Sequence, residues 1–300
     1  PLAPMTTYRV GGPAAVFVDV HHLDDLAAVA AARAATGVPV LVIGRGSNML
    51  VADRGFDGIA VSIAPLASQI EIDADTCVVA AGGGVALPVL ARRTAAVALT
   101  GFEWAVGVPG SIGGAVRMNA GGHGSDMAAS LIDVTVYDLA ASTERVLPVE
   151  QVGLRFRASA LAPTHIVLQA RLQLAPGDRE RSEAEIAEIV RWRREHQPGG
   201  QNCGSVFVNP VPGAVTAGGL IDALGLRGTR FGTAWVSEKH ANFIQASEDG
   251  TAADVRRAIE AVRARVAEAT GYHLRSEVRL VGFDDADPLS FEPPAMEGSR

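Results

Sequence analysis

The chain is poor in lysine and cysteine, contains no long apolar run, and carries no excess of positive charge. Lys239 is the only lysine, and the other 25 basic residues are arginine. This bias indicates no function by itself. The net charge of −7 argues against a general nucleic-acid-binding protein, because neutralising phosphates requires a basic face. No stretch approaches eighteen consecutive apolar residues, so no membrane span is expected.

The two cysteines, Cys77 and Cys203, show neither metal-ligand spacing nor a disulfide framework. A reducing, cytoplasmic compartment is therefore expected. The first residues lack a basic segment followed by an apolar one, so no secretory signal is expected either. The sequence contains no feature that points to an obligate protein partner.

Three lobes and a tail are predicted from the order of apolar patterns. Residues 1–60 are expected to form a small α/β lobe, 61–175 a larger α+β lobe, and 176–283 a C-terminal α/β lobe. The acidic, proline-rich segment 284–300 is expected to be a flexible tail. A helix ending at Gly37 is predicted for the first lobe. Ser182 followed by Glu185 resembles a capping box and predicts a helix over 182–197.

Two glycine-rich loops are candidates for holding an anion. They are IGRGSNML (43–50), which follows a buried-strand pattern, and VGVPGSIGGAVRMNAGGHG (106–124). Glycines allow positive φ and close approach of backbone N–H groups to a ligand. Neither loop contains G-K-[ST] or a dinucleotide G-x-G-x-x-G in a βαβ setting. One such loop is more simply a tight turn, but two that carry serine and asparagine predict a pyrophosphate held between them.

The chain resembles the UDP-N-acetylenolpyruvoylglucosamine reductases through eight motifs in unbroken order, spanning about residues 4–282. The motifs are TTYRVGGPA (6–14), IGRGSNMLVADRGFDG (43–58), GFEWAVGVPGSIGGAVRMNAGG (101–122), LRFRAS (154–159), CGSVFVNP (203–210), AGGLIDALGLRG (217–228), VSEKHANFI (236–244) and SEVRLVG (276–282). The resemblance implies an α+β flavoprotein. Its fold would be a two-subdomain FAD-binding fold of the vanillyl-alcohol-oxidase type with a C-terminal α/β substrate-binding domain.

The resemblance also implies an activity. Members of this family use NADPH and FAD to reduce UDP-N-acetylglucosamine enolpyruvate to UDP-N-acetylmuramate, a step of peptidoglycan precursor synthesis in the cytoplasm. The family's motifs assign FAD binding to both glycine loops. In the first loop the residues are Gly44, Arg45, Gly46, Ser47, Asn48 and Met49. In the second they are Val108, Pro109, Gly110, Ser111, Gly113 and Gly114, with Asn119 and Gly121 nearby.

Ser205 could be a nucleophile, a turn residue or a proton donor. A nucleophile would need G-x-S-x-G or a paired base, whereas 203–207 reads Cys-Gly-Ser-Val-Phe. Most Gly-Ser pairs are simply turns. The resemblance places Ser205 at the family's proton-donor position, which fits a reaction that needs a proton on the carbon next to a carboxylate.

Arg157 and Glu277 match the family's other two catalytic positions. The guanidinium fork of Arg157 would hold the substrate carboxylate better than a flexible lysine. Glu277 would be useful when it is protonated or shares a proton with a neighbour, because a carboxylate repels a developing anion. The simpler alternatives are a solvated salt bridge for Arg157, and pairing of Glu277 with Arg275 or Arg279.

The resemblance assigns substrate binding to Asn209, His196, Lys239 and His240. Asn209 is expected to reach the diphosphate or the sugar, and Lys239 and His240 lie in a segment expected to approach the substrate or the nicotinamide. His196 lies where relatives commonly have lysine, so its charge would depend on pH, although an exposed helix histidine is an equally good interpretation. Gly219 also replaces a common lysine. Arg193, Arg194 and Arg230 are further candidate cations. No tyrosine lies between Arg157 and Ser205, so the chain resembles the shorter subclass that lacks a tyrosine-bearing loop.

Two other functions remain open at this point. An oxidase of the same fold would pass electrons to oxygen, but it would leave the set of Arg157, Ser205 and Glu277 unexplained. A catalytically silent nucleotide-binding protein would not need all three residues. No metal site is expected. The sequence does not indicate the oligomeric state.

Non-covalent FAD is expected because the first loop offers Arg45, Ser47 and Asn48 but no histidine for attachment. Acid precipitation of the purified flavoprotein should leave the protein colourless and release the flavin to the supernatant. Flavin that remains with the washed precipitate would contradict this expectation.

Overall fold

The first lobe is built on a small parallel sheet in the computed structural model, which describes residues 1–283. The predicted flexible tail, 284–300, lies outside the described residues. The elements of this lobe are β1 (Ala14–Asp19), α1 (Leu23–Thr36), β2 (Val40–Val42), β3 (Met49–Val51) and β4 (Phe56–Ser62). Strands β1 and β2 both pair with β4 in parallel. Helix α1 ends as predicted, because Gly37 adopts φ +69° and its amide bonds to the Arg33 carbonyl.

The second lobe carries a five-stranded antiparallel sheet in the order β11-β10-β12-β6-β5. Its elements are β5 (Ile70–Asp73), β6 (Val78–Gly82), α2 (Leu87–Ala96), β7 (Leu99–Thr100), α3 (Ile112–Met118), β8 (Gly121–Gly122), β9 (Ser125–Asp126), β10 (Leu131–Asp138), β11 (Thr143–Pro148), α4 (Val149–Val152), β12 (His165–Gln173), β13 (Ala175–Pro176) and α5 (Arg179–His196). Tyr137 and Ile166 of this sheet share one apolar core with Leu26 and Val29 of α1, and this core joins the first two lobes.

Helix α5 begins earlier than its sequence pattern predicts. The N-cap is Asp178, whose side chain accepts a hydrogen bond of 2.8 Å from the Arg181 amide. Ser182, the predicted cap, is instead buried, and its hydroxyl donates to Glu103 Oε1 at 2.5 Å. The capping-box interpretation is therefore wrong, because the Asp178 side chain satisfies the free Arg181 amide in the first turn of the helix.

The contacts of α5 bear on where the third lobe starts. Ile186 and Ile189 of α5 pack in the core of the second lobe. By these contacts α5 packs against the second lobe, and the boundary predicted at residue 176 stays a prediction.

The third lobe packs a three-stranded antiparallel sheet against a long helix. Its elements are α6 (Ala217–Ala223), β14 (Arg230–Phe231), β15 (Ala234–Val236), β16 (Ile244–Ala246), α7 (Ala252–Thr270) and β17 (Arg279–Val281). Its core also includes Tyr8, Val10 and Leu50 from the first lobe. Strand β17 pairs in parallel with β3, so the end of the chain returns to the first lobe. None of the described helices is long and apolar enough to span a membrane.

Candidate active site

The two glycine-rich loops face one another. A methyl group on Gly44 would lie 2.3 Å from Ser111 Oγ, and one on Gly110 would lie 3.7 Å from Ser47 Oγ. Gly46 has φ +54°, and a side chain there would meet the Met5 carbonyl at 2.3 Å. The first loop therefore requires glycine both for its conformation and for its contacts.

The paired loops fit the pyrophosphate of FAD. Gly44, Pro109 and Gly114 are exposed, so backbone of both loops is accessible to a ligand. Beside Gly46 the Thr7 hydroxyl is buried, with no hydrogen-bond partner among the described residues, while the Thr7 amide bonds to the Gly46 carbonyl at 3.3 Å. A ligand oxygen would satisfy this hydroxyl, because buried polar groups are costly when unpaired. The site is thus compatible with the predicted cofactor.

Three of the residues assigned to FAD already have bonds within the protein. The Ser111 hydroxyl accepts from the Gly114 amide at 3.4 Å and caps α3. Asn119, which is buried, accepts from the Ala128 amide at 3.0 Å and donates to Asp126 at 3.1 Å. The Asn48 side chain donates to the Glu277 carbonyl at 3.0 Å. These three side chains shape the loops through bonds within the protein.

Ser205 and Glu277 lie on two adjacent extended segments. The Glu277 amide donates to the Val206 carbonyl at 2.8 Å, and the Val208 amide donates to the Arg275 carbonyl at 2.9 Å. Ser205 is exposed, whereas Val206 is fully buried. Gly204, with φ +85°, permits the turn that leads into the serine.

Asn242 holds the serine segment in place, a role that sequence reasoning missed. Its side chain accepts from the Phe207 amide at 3.0 Å and donates to the Phe207 carbonyl at 2.8 Å. Its carbonyl accepts from the Val206 amide at 2.9 Å. The signal in the sequence is its place in the motif VSEKHANFI (236–244), two residues after His240.

Arg157 of the second lobe contacts Glu277 of the third. The distance from Nε to Oε2 is 2.8 Å, but the N–H does not point at the oxygen, so the contact is an ion pair rather than an aligned hydrogen bond. Arg157 Nη1 donates to the Gly121 carbonyl at 3.3 Å. The arginine adopts φ +56°, a conformation that costs a non-glycine residue energy and recurs at active sites. The glutamate is therefore paired with Arg157, not with Arg275 or Arg279.

Burial raises the pKa of Glu277, although the charge of Arg157 opposes the shift. The glutamate side chain is only 14% exposed, and the arginine side chain 30%. Removing water penalises the charged carboxylate more than the arginine favours it. Near neutral pH, Glu277 therefore carries a proton more often than an ordinary glutamate does.

A cleft of about 360 Å³ opens beside Ser205. Its lining includes Ser205, Asn209, Thr216, Gly218, Gly219, Asp222, Arg227, His240, Ala241 and Asn242. Three of the predicted site residues, Ser205, Asn209 and His240, are thus brought together. The Asn209 side chain accepts from the Ala217 amide at 3.0 Å, so its NH₂ group is the end available to a ligand.

His240 is a neutral hydrogen-bond donor in this cleft. Burial lowers the pKa of His240, and the charge of Arg227 lowers it further. Nδ1 accepts from the Asn242 amide at 3.2 Å, which places the proton of the neutral ring on Nε2. Arg227 is a cation of the cleft that sequence reasoning did not single out. It forms an ion pair with Asp222 and donates to the Glu238 carbonyl at 2.9 Å.

His196 and Lys239 are not among the residues lining this cleft. The His196 ring stacks on Trp192 with centroids 4.7 Å apart, and its Nδ1 lies 2.8 Å from the Trp192 carbonyl. Lys239 Nζ donates to the Arg194 carbonyl near the end of α5. The lysine therefore helps to satisfy the C-terminal carbonyls of that helix.

Glu277→Gln should remove one pH-dependent contribution to stability. The folded pKa of Glu277 lies above its unfolded value, so the folded protein binds more protons between these two pKa values. Stability is then lost as the pH rises through that window. The free energy of unfolding of the variant minus that of the wild type should therefore increase from about pH 4 towards neutrality. Urea unfolding at several pH values measures this difference, and a flat or falling difference would contradict the raised pKa.

Comparison with known proteins identifies the family. Residues 196–281 match the profile "UDP-N-acetylenolpyruvoylglucosamine reductase, C-terminal domain", and residues 14–146 match "FAD binding domain". The chain is 40% identical over 295 residues to the reductase of this name from Synechococcus sp. (strain WH7803), covering 96% of this chain and 93% of that protein. It is 42% identical over 284 residues to the one from Heliobacterium modesticaldum, covering 94% and 89%.

A solved structure gives the same result. The crystal structure of the Thermus caldophilus reductase superposes with a TM-score of 0.79 at 33% identity, covering 93% of this chain and 97% of that one. The predicted α+β, FAD-binding fold is confirmed. The chain belongs to the UDP-N-acetylenolpyruvoylglucosamine reductase family, whose members are FAD-dependent oxidoreductases.

Proposed function

We propose that this protein reduces UDP-N-acetylglucosamine enolpyruvate to UDP-N-acetylmuramate with NADPH, in the cytoplasm, as a step of peptidoglycan precursor synthesis. The observation that carries the proposal is the Arg157–Glu277 pair. Glu277 lies on the segment that is hydrogen-bonded to the segment of Ser205, and Ser205 lines the cleft. The chemistry that bound FAD supplies is hydride transfer, from NADPH to C3 of the enolpyruvyl group.

Residues of this chain stabilise the negative charge that develops in the reaction and supply the proton to C2. Gain of hydride at C3 leaves negative charge on C2 and on the substrate carboxylate. Arg157 holds that carboxylate through its guanidinium fork. Glu277, whose pKa is raised by burial, donates a hydrogen bond to the developing anion when it is protonated. Ser205 then gives its hydroxyl proton to C2, which is basic enough to accept it from a weak acid.

The cleft supplies contacts for the UDP end of the substrate. The Asn209 amide and the Nε2–H of His240 are neutral donors, and the guanidinium of Arg227 is the nearby cation. A donor set of this kind suits the diphosphate oxygens. His196 and Lys239 lie by the end of α5, so their predicted contacts with the substrate require it to extend beyond the cleft lining. The expected dependence of UDP affinity on the charge of His196 stays a prediction.

The two half-reactions test the proposal in one anaerobic cuvette. NADPH should bleach the visible absorbance of the flavin, and UDP-N-acetylglucosamine enolpyruvate should then restore it. Bleaching without recovery would overturn the proposed substrate. Rapid oxygen consumption with another substrate would favour an oxidase.

Ser205→Ala should separate the two half-reactions. Bleaching by NADPH needs no proton donor at C2 and should proceed at the wild-type rate. Recovery with the enolpyruvyl substrate should slow by about 10²–10⁴-fold, the usual contribution of a general acid. Ser68→Ala, at an exposed position, is the matched control. Equal recovery rates in Ser205→Ala and wild type would contradict the role of Ser205.

A further inference from the structure

Asn48 contacts the segment of Glu277 and β17 at two points. Its side-chain Nδ2 donates to the Glu277 carbonyl at 3.0 Å, and its own carbonyl accepts from the Arg279 amide at 3.0 Å. Both contacts cross from the first glycine loop to the segment that contains the proposed acid. The side chain is partly buried, and water competes weakly for such bonds.

These contacts extend the strand pair formed by β3 and β17. Regular pairing begins with Met49 opposite Arg279 and continues through Leu50 and Val51. Asn48 lies one residue before Met49, where this pairing begins. Its side chain, rather than a backbone N–H, donates to the Glu277 carbonyl. The Glu277 carbonyl, which lies outside the regular ladder, thereby gains a partner.

The peptide groups of Glu277 are therefore held from both sides. The N–H donates to the Val206 carbonyl beside Ser205, and the C=O accepts from Asn48 in the cofactor loop. The direction of the Glu277 side chain depends on this backbone position. Displacing a catalytic group by about 1 Å can cost about 10²-fold in rate.

We propose that Asn48 is a positioning residue that fixes Glu277 relative to the cofactor loop. The inference rests on the proposed role of Glu277, and it differs from the simple assignment of Asn48 to FAD. The side-chain amide of Asn48 points at the backbone carbonyl of Glu277. The first glycine loop, which is expected to bind FAD, thus also sets the position of Glu277, the group that stabilises the developing charge.

Asn48→Leu tests the proposal through the two half-reactions. Recovery of the flavin by the enolpyruvyl substrate should slow by about 10²-fold, while bleaching by NADPH at saturating FAD should change little. Asn48→His should recover part of the lost rate, because Nδ1 of histidine lies at the same number of bonds from Cα as Nδ2 of asparagine and can donate. Asn48→Asp, which keeps the size but not the donor, replaces the leucine variant if that variant does not fold.

Gln173→Leu is the matched control. It also removes a side-chain amide that donates to backbone carbonyls, at 3.0 Å to Thr76, but it lies on the sheet of the second lobe. Both half-reactions of this control should match those of the wild type. Equal slowing of both half-reactions in Asn48→Leu, or an unchanged recovery rate, would overturn the positioning role.

Hydrogen exchange provides a readout that does not depend on turnover. In the FAD-bound protein without substrate, the Glu277 and Arg279 amides should exchange faster in Asn48→Leu than in wild type and in Gln173→Leu. Unchanged exchange would overturn the proposal even if the wild type failed to use the substrate. Failure of flavin recovery in the wild type itself would instead overturn the proposed function.

Discussion

The ion pair between Arg157 and Glu277 joins the second lobe to the third at the centre of the proposed chemistry. The arginine lies in a strained left-handed conformation and is also bonded to Gly121. The glutamate lies in a segment hydrogen-bonded to that of Ser205. Burial of the pair raises the pKa of Glu277 despite the opposing charge of Arg157, and the protonated acid is the form that the proposed reduction requires.

Backbone and core contacts around this pair join all three lobes. Strand β17 pairs with β3 of the first lobe, and the core of the third lobe includes Tyr8, Val10 and Leu50. Helix α5 connects the third lobe to the second while packing against the second. The cofactor loop, the acid and the serine are consequently parts of one hydrogen-bonded seam rather than three independent sites.

Much of the fold could be predicted from the sequence because local signals and tertiary packing agree. Helix α1 stops at Gly37, and α7 begins after the cap Thr251 and stops at Gly271. The start of α5 could not be predicted, because Asp178 and Ser182 are both acceptable caps in sequence. The burial of Ser182 against Glu103 decides between them.

The motifs identified the three catalytic candidates but not how they are held. Glu277 has arginines two positions away on either side, and only the structure selects the distant Arg157 instead. The supporting bonds of Asn48 and Asn242 join residues far apart in sequence, so no local pattern reveals them. Arg227 was overlooked because its ion pair with Asp222 and its place in the cleft depend on how α6 turns into the next segment.

The central claim is that Glu277 acts as a hydrogen-bond donor rather than as a fixed negative charge. Comparing the rate of flavin recovery by the enolpyruvyl substrate in Glu277→Gln and Glu277→Ala tests it most directly. The glutamine amide still donates, so this variant should keep most of the rate, whereas the alanine variant should lose about 10²-fold or more. Equal losses in the two variants would contradict the account.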